Sequence, residues 1–438
     1  MCRREFLGGC VATVAAQGLA AGVKAFETPR LKVGVLSDVH IKFYGMKPEA
    51  KPSTDMLDRA LRFYRARNVD AVVIAGDLTE FGEIAELEEL AKTWNTIFPD
   101  NRGADGKIVE RLFIRGNHEH MKGRSDHVGK VPLIKDDPAG AFKRLFAIDD
   151  YAEMRIREVG GYKFLMAEWG AQARVGEWFK TMEPTLPKDK PFFWIQHNHP
   201  KGTNIKPDID ITGQSTEALS RWPNAVALSG HSHYPLAYGD QIWQGAFTAV
   251  GTSSLDWLHI RKDRAENAFG TGGWKEGLYM EVFDDRIVFE RLNFVYQCKI
   301  GPDWVVPLDG SRPYAWDKQK AERLPPEFPA QAKLKVERKG EELVIEIPRT
   351  LPANGDDGRT VDYEIVAFRP EDGEQKPLQV RHVYAEKFTL PDDMLSPKQV
   401  VKWGLDKLGI RGRVRFAVKA RNTWERAGRP IYGECTVD

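Results

Sequence analysis

RLKVGVLSDVH, residues 30–40, decides how the chain is to be read. Val33 and Val35 stand five and three residues before Asp38, and both are apolar. Side chains alternate along an extended chain, so this pair buries one face of a strand. The polar residues Asp38 and His40 then emerge past the strand's C-terminal end. One such end is weak, because an Asp-x-His occurs by chance in many sequences.

The same register recurs further along. Asp77 is preceded by Ile74 and Val72, Asn117 by Ile114 and Leu112, and His231 by Leu228 and Val226, again at three and five residues. Four strands therefore deliver Asp, Asp, Asn and His to one rim. In open α/β sheets that rim is where ligands bind. Gly76, Gly116 and Gly230 stand just before three of these residues and permit a sharp turn or a close backbone approach. Of the ten histidines, eight fall before residue 234, in the motifs SDVH, RGNHEH, QHNHP and GHSH or close to them, and GDLTE adds Asp77.

QHNHP ends a fifth apolar run, PFFWIQHNHP (191–200). Alternation puts His197 and His199 on the same side. The shared register favours His197, which has Trp194 and Phe192 three and five residues before it. His199 has Gln196 at the first of these positions and reads as a substrate contact or a surface residue.

Between these runs lie helical patterns at 54–67, with Leu57, Leu61 and Tyr64 at helical spacing, and at 82–98, whose acidic residues read as a solvated face. Strand–helix alternation predicts an α/β layered fold. Residues 277–294 read as a hairpin turning at Asp284-Asp285, so the sheets are expected to be mixed. The Pro-rich stretch 323–333 reads as a linker. Period-two runs beyond it predict a β-sandwich over 328–438, with 397–410 as a helical insertion. Residues 413–431 resemble the late strands of fibronectin type III domains. Val414 and Ile347 stand where that family has Tyr and Trp, so an Ig-like sandwich is the general expectation.

Taken together and in order, the motifs D-x-H, G-D, G-N-H-E, a His near a Pro, and G-H-x-H resemble the calcineurin-like metallophosphoesterases. The resemblance covers about residues 31–235 by motif. It implies a layered phosphoesterase domain of mixed sheets flanked by helices over 28–322. It also implies that Asp38, His40 and His233 hold one metal, that Asn117, His197 and His231 hold another, and that Asp77 bridges them. His118 would stabilise developing charge or protonate the leaving oxygen, and Glu119 would orient His118. The donors are oxygen and nitrogen with no thiolate, which suits Mn, Zn, Fe or Co. Two such cations roughly 3.5–4 Å apart can clamp a phosphoryl group and acidify the water that attacks it. The chain is thus expected to be a hydrolase of small phosphate esters. A phosphodiesterase or nuclease using the same centre, and a surface binding protein using the fold as scaffold, are the alternatives.

Some neighbours are expected to do less. His120 and His127 read as solvated or structural. Glu80 stands where purple acid phosphatases carry a metal-binding Tyr, which argues against a tyrosinate centre. Trp194, Trp243, Trp257 and Trp274 either pack or line a cleft. FGTGGW (269–274) lacks the Lys-Ser/Thr ending of a nucleotide loop.

The 438 residues are long enough for two domains, and 42% hydrophobic with 29% charged residues is ordinary for a globular protein. A formal net charge of +1 supplies no field for nucleic acid or an anionic membrane. Oligomeric state is open. Neither Cys298 nor Cys435 sits in a CxxC spacing; they pair or, as the simpler reading has it, are unrelated thiols. The start, MCRREFLGG, resembles a twin-arginine export signal, RRxFL, over residues 1–25. Its apolar stretch, 10–23, is too short and too weakly apolar to span a bilayer. This implies a protein exported folded to the periplasm or beyond.

Overall fold

A computed structural model describes residues 27–43, 51–127, 129–204, 213–260, 274–352, 358–408 and 411–437. The expected export signal and all of FGTGGW except Trp274 lie outside the described residues.

Among the described residues, thirteen strands form before residue 310, most of them from apolar, β-branched-rich runs. They are β1 (Leu31–Leu36), β2 (Ala71–Ala75), β3 (Glu110–Ile114), β4 (Met154–Val159), β5 (Tyr162–Ala167), β6 (Phe192–Gln196), β7 (Ala225–Ser229), β8 (Ile242–Gln244), β9 (Thr248–Gly251), β10 (Glu276–Val282), β11 (Arg286–Asn293), β12 (Cys298–Lys299) and β13 (Trp304–Pro307). They build two mixed sheets, in the orders β12-β11-β10-β1-β2-β3, with β13 on β11, and β4-β5-β6-β7-β9-β8. β1, β2 and β3 run parallel, as do β5, β6, β7 and β9. Parallel neighbours bring their C-terminal ends to one edge of each sheet. The expected hairpin is present: β10 and β11 pair antiparallel, and Phe283 N donates to Arg286 O across Asp284-Asp285.

Helices cover the outer faces. On the first sheet these are α1 (Asp55–Ala66), α2 (Ile84–Ile97) and α3 (Pro138–Phe146), whose Leu61, Leu87, Trp94 and Phe142 pack with Val72, Ile74 and Phe113. On the second they are α4 (Val175–Met182) and α5 (Gln214–Leu219), whose Phe179 and Leu219 pack with Phe192 and Trp194. Val33, Val35, Leu112, Ile114, Val226 and Leu228 fill the space between the sheets. The architecture is the layered α/β one expected. The shared register, however, does not mark a shared face: Val72, Ile74, Phe192 and Trp194 look outward to helices, whereas the other reference residues look inward. Strands β2, β6 and β7 are buried at every residue, so apolar side chains are needed on both faces.

Two details of the helical reading change. Glu83 and Glu86 are buried rather than solvated. They form the reciprocal cap at the start of α2, where Glu86 accepts from Phe81 N and Glu83 N.

The C-terminal part adds β14 (Lys335–Lys339), β15 (Glu342–Pro348), β16 (Asp362–Phe368), β17 (Gln379–Tyr384), β18 (Lys398–Gly404), β19 (Gly412–Arg421) and β20 (Ile431–Val437). They form two antiparallel sheets, β14-β15-β18 and β17-β16-β19-β20. The expected helical insertion at 397–410 is mostly strand. Gln399, Val401 and Trp403 point inward and Lys398, Val400 and Lys402 outward, the period of two that β18 needs. Only Leu405–Leu408 makes a helical turn. Cys298 and Cys435 both remain thiols.

One apolar core runs through both parts, from Val33 and Leu278 between the first sheets to Ile345, Tyr384 and Phe416 in the last ones. At the seam, Arg359 donates to Ile300 O, Arg426 Nη1 to Ala321 O and Arg323 O, and Asn422 Nδ2 to Leu324 O. No helix among the described residues is long and apolar enough to cross a membrane.

Candidate metal centre

Asp38 and His40 follow β1, Asp77 follows β2, Asn117 follows β3, His197 follows β6, and His231 and His233 follow β7. The parallel strand ends bring all seven to one rim. Potential donor atoms of Asp38, His40, Asp77 and His233 lie within 4.8 Å of one another, as do those of Asp77, His197 and His231. Asn117 joins through Oδ1, 3.0 Å from His197 Nε2.

The backbone is bent to achieve this. Asp38, His40, Asp77, His231 and His233 all adopt left-handed conformations, with φ of 50°, 47°, 52°, 66° and 54°. Such non-glycine residues cost on the order of 1–3 kcal/mol each and persist where the surroundings over-determine them. Three glycines make room, and a Cβ on Gly116 would strike Asp77. Gly76 has φ 94°, and a Cβ there would strike the His197 ring. A Cβ on Gly230 would strike Ser37 and Asp38.

Each carboxylate has one oxygen tied and one turned inward. Asp38 Oδ2 accepts from Ser37 Oγ at 2.5 Å and His231 N at 2.9 Å. Asp38 Oδ1 is buried without a hydrogen bond, although His233 Nε2 is 2.9 Å away. That approach is close but lacks hydrogen-bond alignment. Asp77 Oδ1 accepts from His118 N at 3.0 Å, leaving Oδ2 at 3.1 Å from His197 Nε2 and 3.8 Å from both His40 Nε2 and His118 Nε2.

The imidazoles are tethered from behind. His197 Nδ1 donates to Ala75 O at 2.8 Å, His233 Nδ1 to Trp257 O at 2.9 Å and His118 Nδ1 to Glu80 O at 2.6 Å. A carbonyl can only accept, so the proton sits on Nδ1 and the Nε2 lone pair faces the centre. The lone pair of His197 then meets Asp77 Oδ2, Asn117 Oδ1 and His231 Nδ1, the last at 3.2 Å. His40 Nε2 and His233 Nε2 face each other at 3.2 Å. Acceptors converging this closely need positive charge among them, and without a cation it comes from protons. Burial alone would lower His197, but Asp77 and Asp38 outweigh it and raise it to about 9. Burial would raise Asp77, but His197 and His40 hold it at about 2. Asp38 lies lower still, because His233, His197 and His40 outweigh its burial. The oxygen and nitrogen donor set and the orphaned Asp38 Oδ1 fit cations.

Other residues differ from expectation. Glu119 does not pair with His118. Residues 118–120 form a 3₁₀ turn that sends the Glu119 carboxylate inward, where Oε1 accepts from Thr79 N and Oγ1 at 2.8 Å and Oε2 from Gly116 N at 2.7 Å. His199 is neither a surface residue nor directed at the centre. It is buried, with Nδ1 2.7 Å from Ser229 Oγ and Nε2 3.0 Å from Ser232 Oγ, and burial pushes it down to about 3. His127 is structural, 3.0 Å from Glu83 Oε1. Trp194 and Trp274 pack in the core, whereas Trp257 lies 4.4 Å, ring to ring, from His233.

Two further neighbours reach the centre through loop paths rather than through the strand register. Glu80 Oε2 lies 3.3 Å behind His40 Nδ1, and Lys42 Nζ joins Glu80 to Asp256. Trp169 lies against His231, with 5.2 Å between ring centroids.

Residues 31–235 match the family model described as calcineurin-like phosphoesterase. Similar solved structures include a predicted phosphoesterase from Streptococcus pneumoniae, at 15% identity over 63% of this chain and 97% of that one, with a TM-score of 0.28. Another is the protein TT1561 of Thermus thermophilus, at 11% identity over 61% and 100% of the two chains, with a TM-score of 0.37. A third is zinc-complexed Vps29 from Entamoeba histolytica, at 11% identity over 64% and 100%, with a TM-score of 0.29. No curated protein matches the chain.

Proposed function

Because residues 31–235 match the family model described as calcineurin-like phosphoesterase, we propose that this chain hydrolyses small phosphate esters at a two-cation centre on the rim. The observation that carries the proposal is the convergence of inward lone pairs from His197, Asn117, Asp77, Asp38 and His233. Asp38, His40 and His233 would hold one cation and Asn117, His197 and His231 the other. Asp77 suits a bridge, since His118 N ties one of its oxygens and leaves the second facing in. Bound there, Mn, Zn, Fe or Co would neutralise phosphoryl charge and acidify a water.

The chain's own residues do the rest. The Ala75 and Trp257 carbonyls fix the tautomers of His197 and His233, so both lone pairs stay available. His118 hangs from the Glu80 carbonyl and presents Nε2 beside Asp77. As an imidazolium it can hand its Nε2 proton to the leaving oxygen, or stabilise charge developing there.

The test is a panel of phosphate monoesters and diesters assayed with each metal, alongside cation analysis. We expect about two cations per chain. His118→Ala should slow turnover roughly 10²–10⁴-fold while retaining the cations. An unchanged rate would remove His118 from the chemistry. Asp77→Ala should lose cations and rate together, and its keeping both would refute the bridge. Diesters turning over faster than monoesters would make the chain a phosphodiesterase. Export by residues 1–25 is a separate proposal, tested by fusing residues 1–30 to a reporter in a strain lacking twin-arginine export.

A further inference from the structure

We propose that the C-terminal sheets clamp the loop running from Tyr234 to Gly239, and thereby set the spacing of His231 and His233. The consequence for cations rests on the two-cation proposal; the clamp itself does not.

This loop follows the two left-handed histidines beyond β7 and meets regular structure again at the 3₁₀ turn Gly239–Gln241 that leads into β8. Its Leu236 is pinned from the N-terminal sheets. Glu276 Oε2 accepts from Leu236 N at 2.7 Å, and Arg291 Nη1 donates to Leu236 O at 2.9 Å. The far side of the loop is held by residues more than a hundred positions away. Tyr238 is buried, and its ring stacks on Phe388 at 5.6 Å with 22° between planes. Its hydroxyl donates to Tyr384 Oη at 3.1 Å. Gly239 N donates to Thr423 Oγ1 at 3.0 Å. Backbone and partner touch so closely here that a Cβ on Gly239 would stand 2.9 Å from Thr423 Cγ2 and 3.1 Å from Trp424 Nε1.

Left-handed backbone at His231 and His233 relaxes unless its surroundings prevent it. Upstream, β7 is paired on both sides, with β6 and β9. Downstream, His259 N holds His233 O, Gln241 Nε2 holds Tyr234 O, Glu276 and Arg291 hold Leu236, and the last two anchors, at Tyr238 and Gly239, come from the C-terminal part. Phe388, Tyr384 and Thr423 are thus positioning residues: they act on the centre through the loop.

The test uses the full chain and three variants. Phe388→Ala removes the stacking surface, Thr423→Val removes one acceptor at nearly constant shape, and Val400→Ala on the exposed face of β18 is the control. Hydrogen exchange over residues 234–241 is read by mass spectrometry, and Mn²⁺ and Zn²⁺ binding by calorimetry. Phe388→Ala should speed exchange in this segment about tenfold and weaken cation binding roughly 10–100-fold, the range for lost supporting contacts. Thr423→Val should produce the same pattern more mildly, and Val400→Ala neither change. Exchange and affinity at control level in both Phe388→Ala and Thr423→Val would overturn the clamp. Should Phe388→Ala fail to fold, Thr423→Val decides alone. Should the parent chain bind no cation, the two-cation proposal falls, and exchange by itself decides the clamp.

Discussion

Glu119 accepts three hydrogen bonds from wholly inside the protein. In the sequence it follows His118 and reads as that residue's partner. Spacing carries no information on which way a side chain leaves a 3₁₀ turn, and here the turn sends Glu119 under the loop that carries Asp77. Its role is to tie the end of β2 to the end of β3. Glu119→Gln places an amide N–H against either Gly116 N–H or the Thr79 donors, so one buried donor loses its acceptor. We expect the variant to be less stable by about 1–3 kcal/mol in urea denaturation. Parent-like stability would refute the tie. The convergence of Asp38, Asp77, Asn117, His197 and His231 on one rim is legible for the opposite reason. Each ends a long apolar run, and the register there depends on strand ends alone. His199 is not legible: Ser229 and Ser232, which surround it, lie some thirty residues downstream.

The start of α2 carries a charge that its surroundings oppose. Burial, and then the neighbouring Glu83 and Glu119, raise Glu86 from an ordinary 4.5 to about 8, against two backbone N–H donors. In the unfolded chain this carboxyl ionises near its ordinary value, so between the two values the folded state binds more protons. The contribution is complete below the ordinary value and is lost as pH rises through about 8. Glu86→Gln cannot ionise and retains an acceptor for Phe81 N and Glu83 N. Between pH 6 and 9 it should therefore lose less stability than the parent when both are unfolded in urea. Equal losses would mean that Glu86 does not titrate there. The same strands show how far pattern reading reaches at this scale. Existence and direction of β1, β2, β3, β6 and β7 follow from their apolar runs. Facing does not, because a strand covered on both sides has no polar positions to betray its pleat. β18 reads as helix because Trp403, Gly404 and Leu405 sit where alternation gives way to a single helical turn.

At the scale of the whole chain, the continuous core decides cooperativity. Residues from Val33 to Val437 belong to one buried cluster, and the C-terminal sheets share it with the sheets that carry the centre. The chain should then unfold in one transition, with tryptophan fluorescence and far-ultraviolet dichroism superimposing in urea. Two separated transitions would show that the C-terminal sheets fold independently. Nothing local in the sequence signals this contact, since Tyr238 and Tyr384 stand 146 residues apart and Gly239 and Thr423 stand 184 apart. A Pro-rich stretch between two patterned regions looks like a flexible joint whether or not the regions later share a core.

The five left-handed donors have a consequence for the life of the protein in its compartment. At roughly 1–3 kcal/mol apiece, they make the rim costly to fold. An ion that binds only the folded chain adds about 2.7 kcal/mol at a hundredfold excess over its Kd. On the two-cation proposal, resistance to proteolysis would follow the local supply of metal. Scarcity would then be felt first as fewer surviving molecules and only afterwards as slower ones.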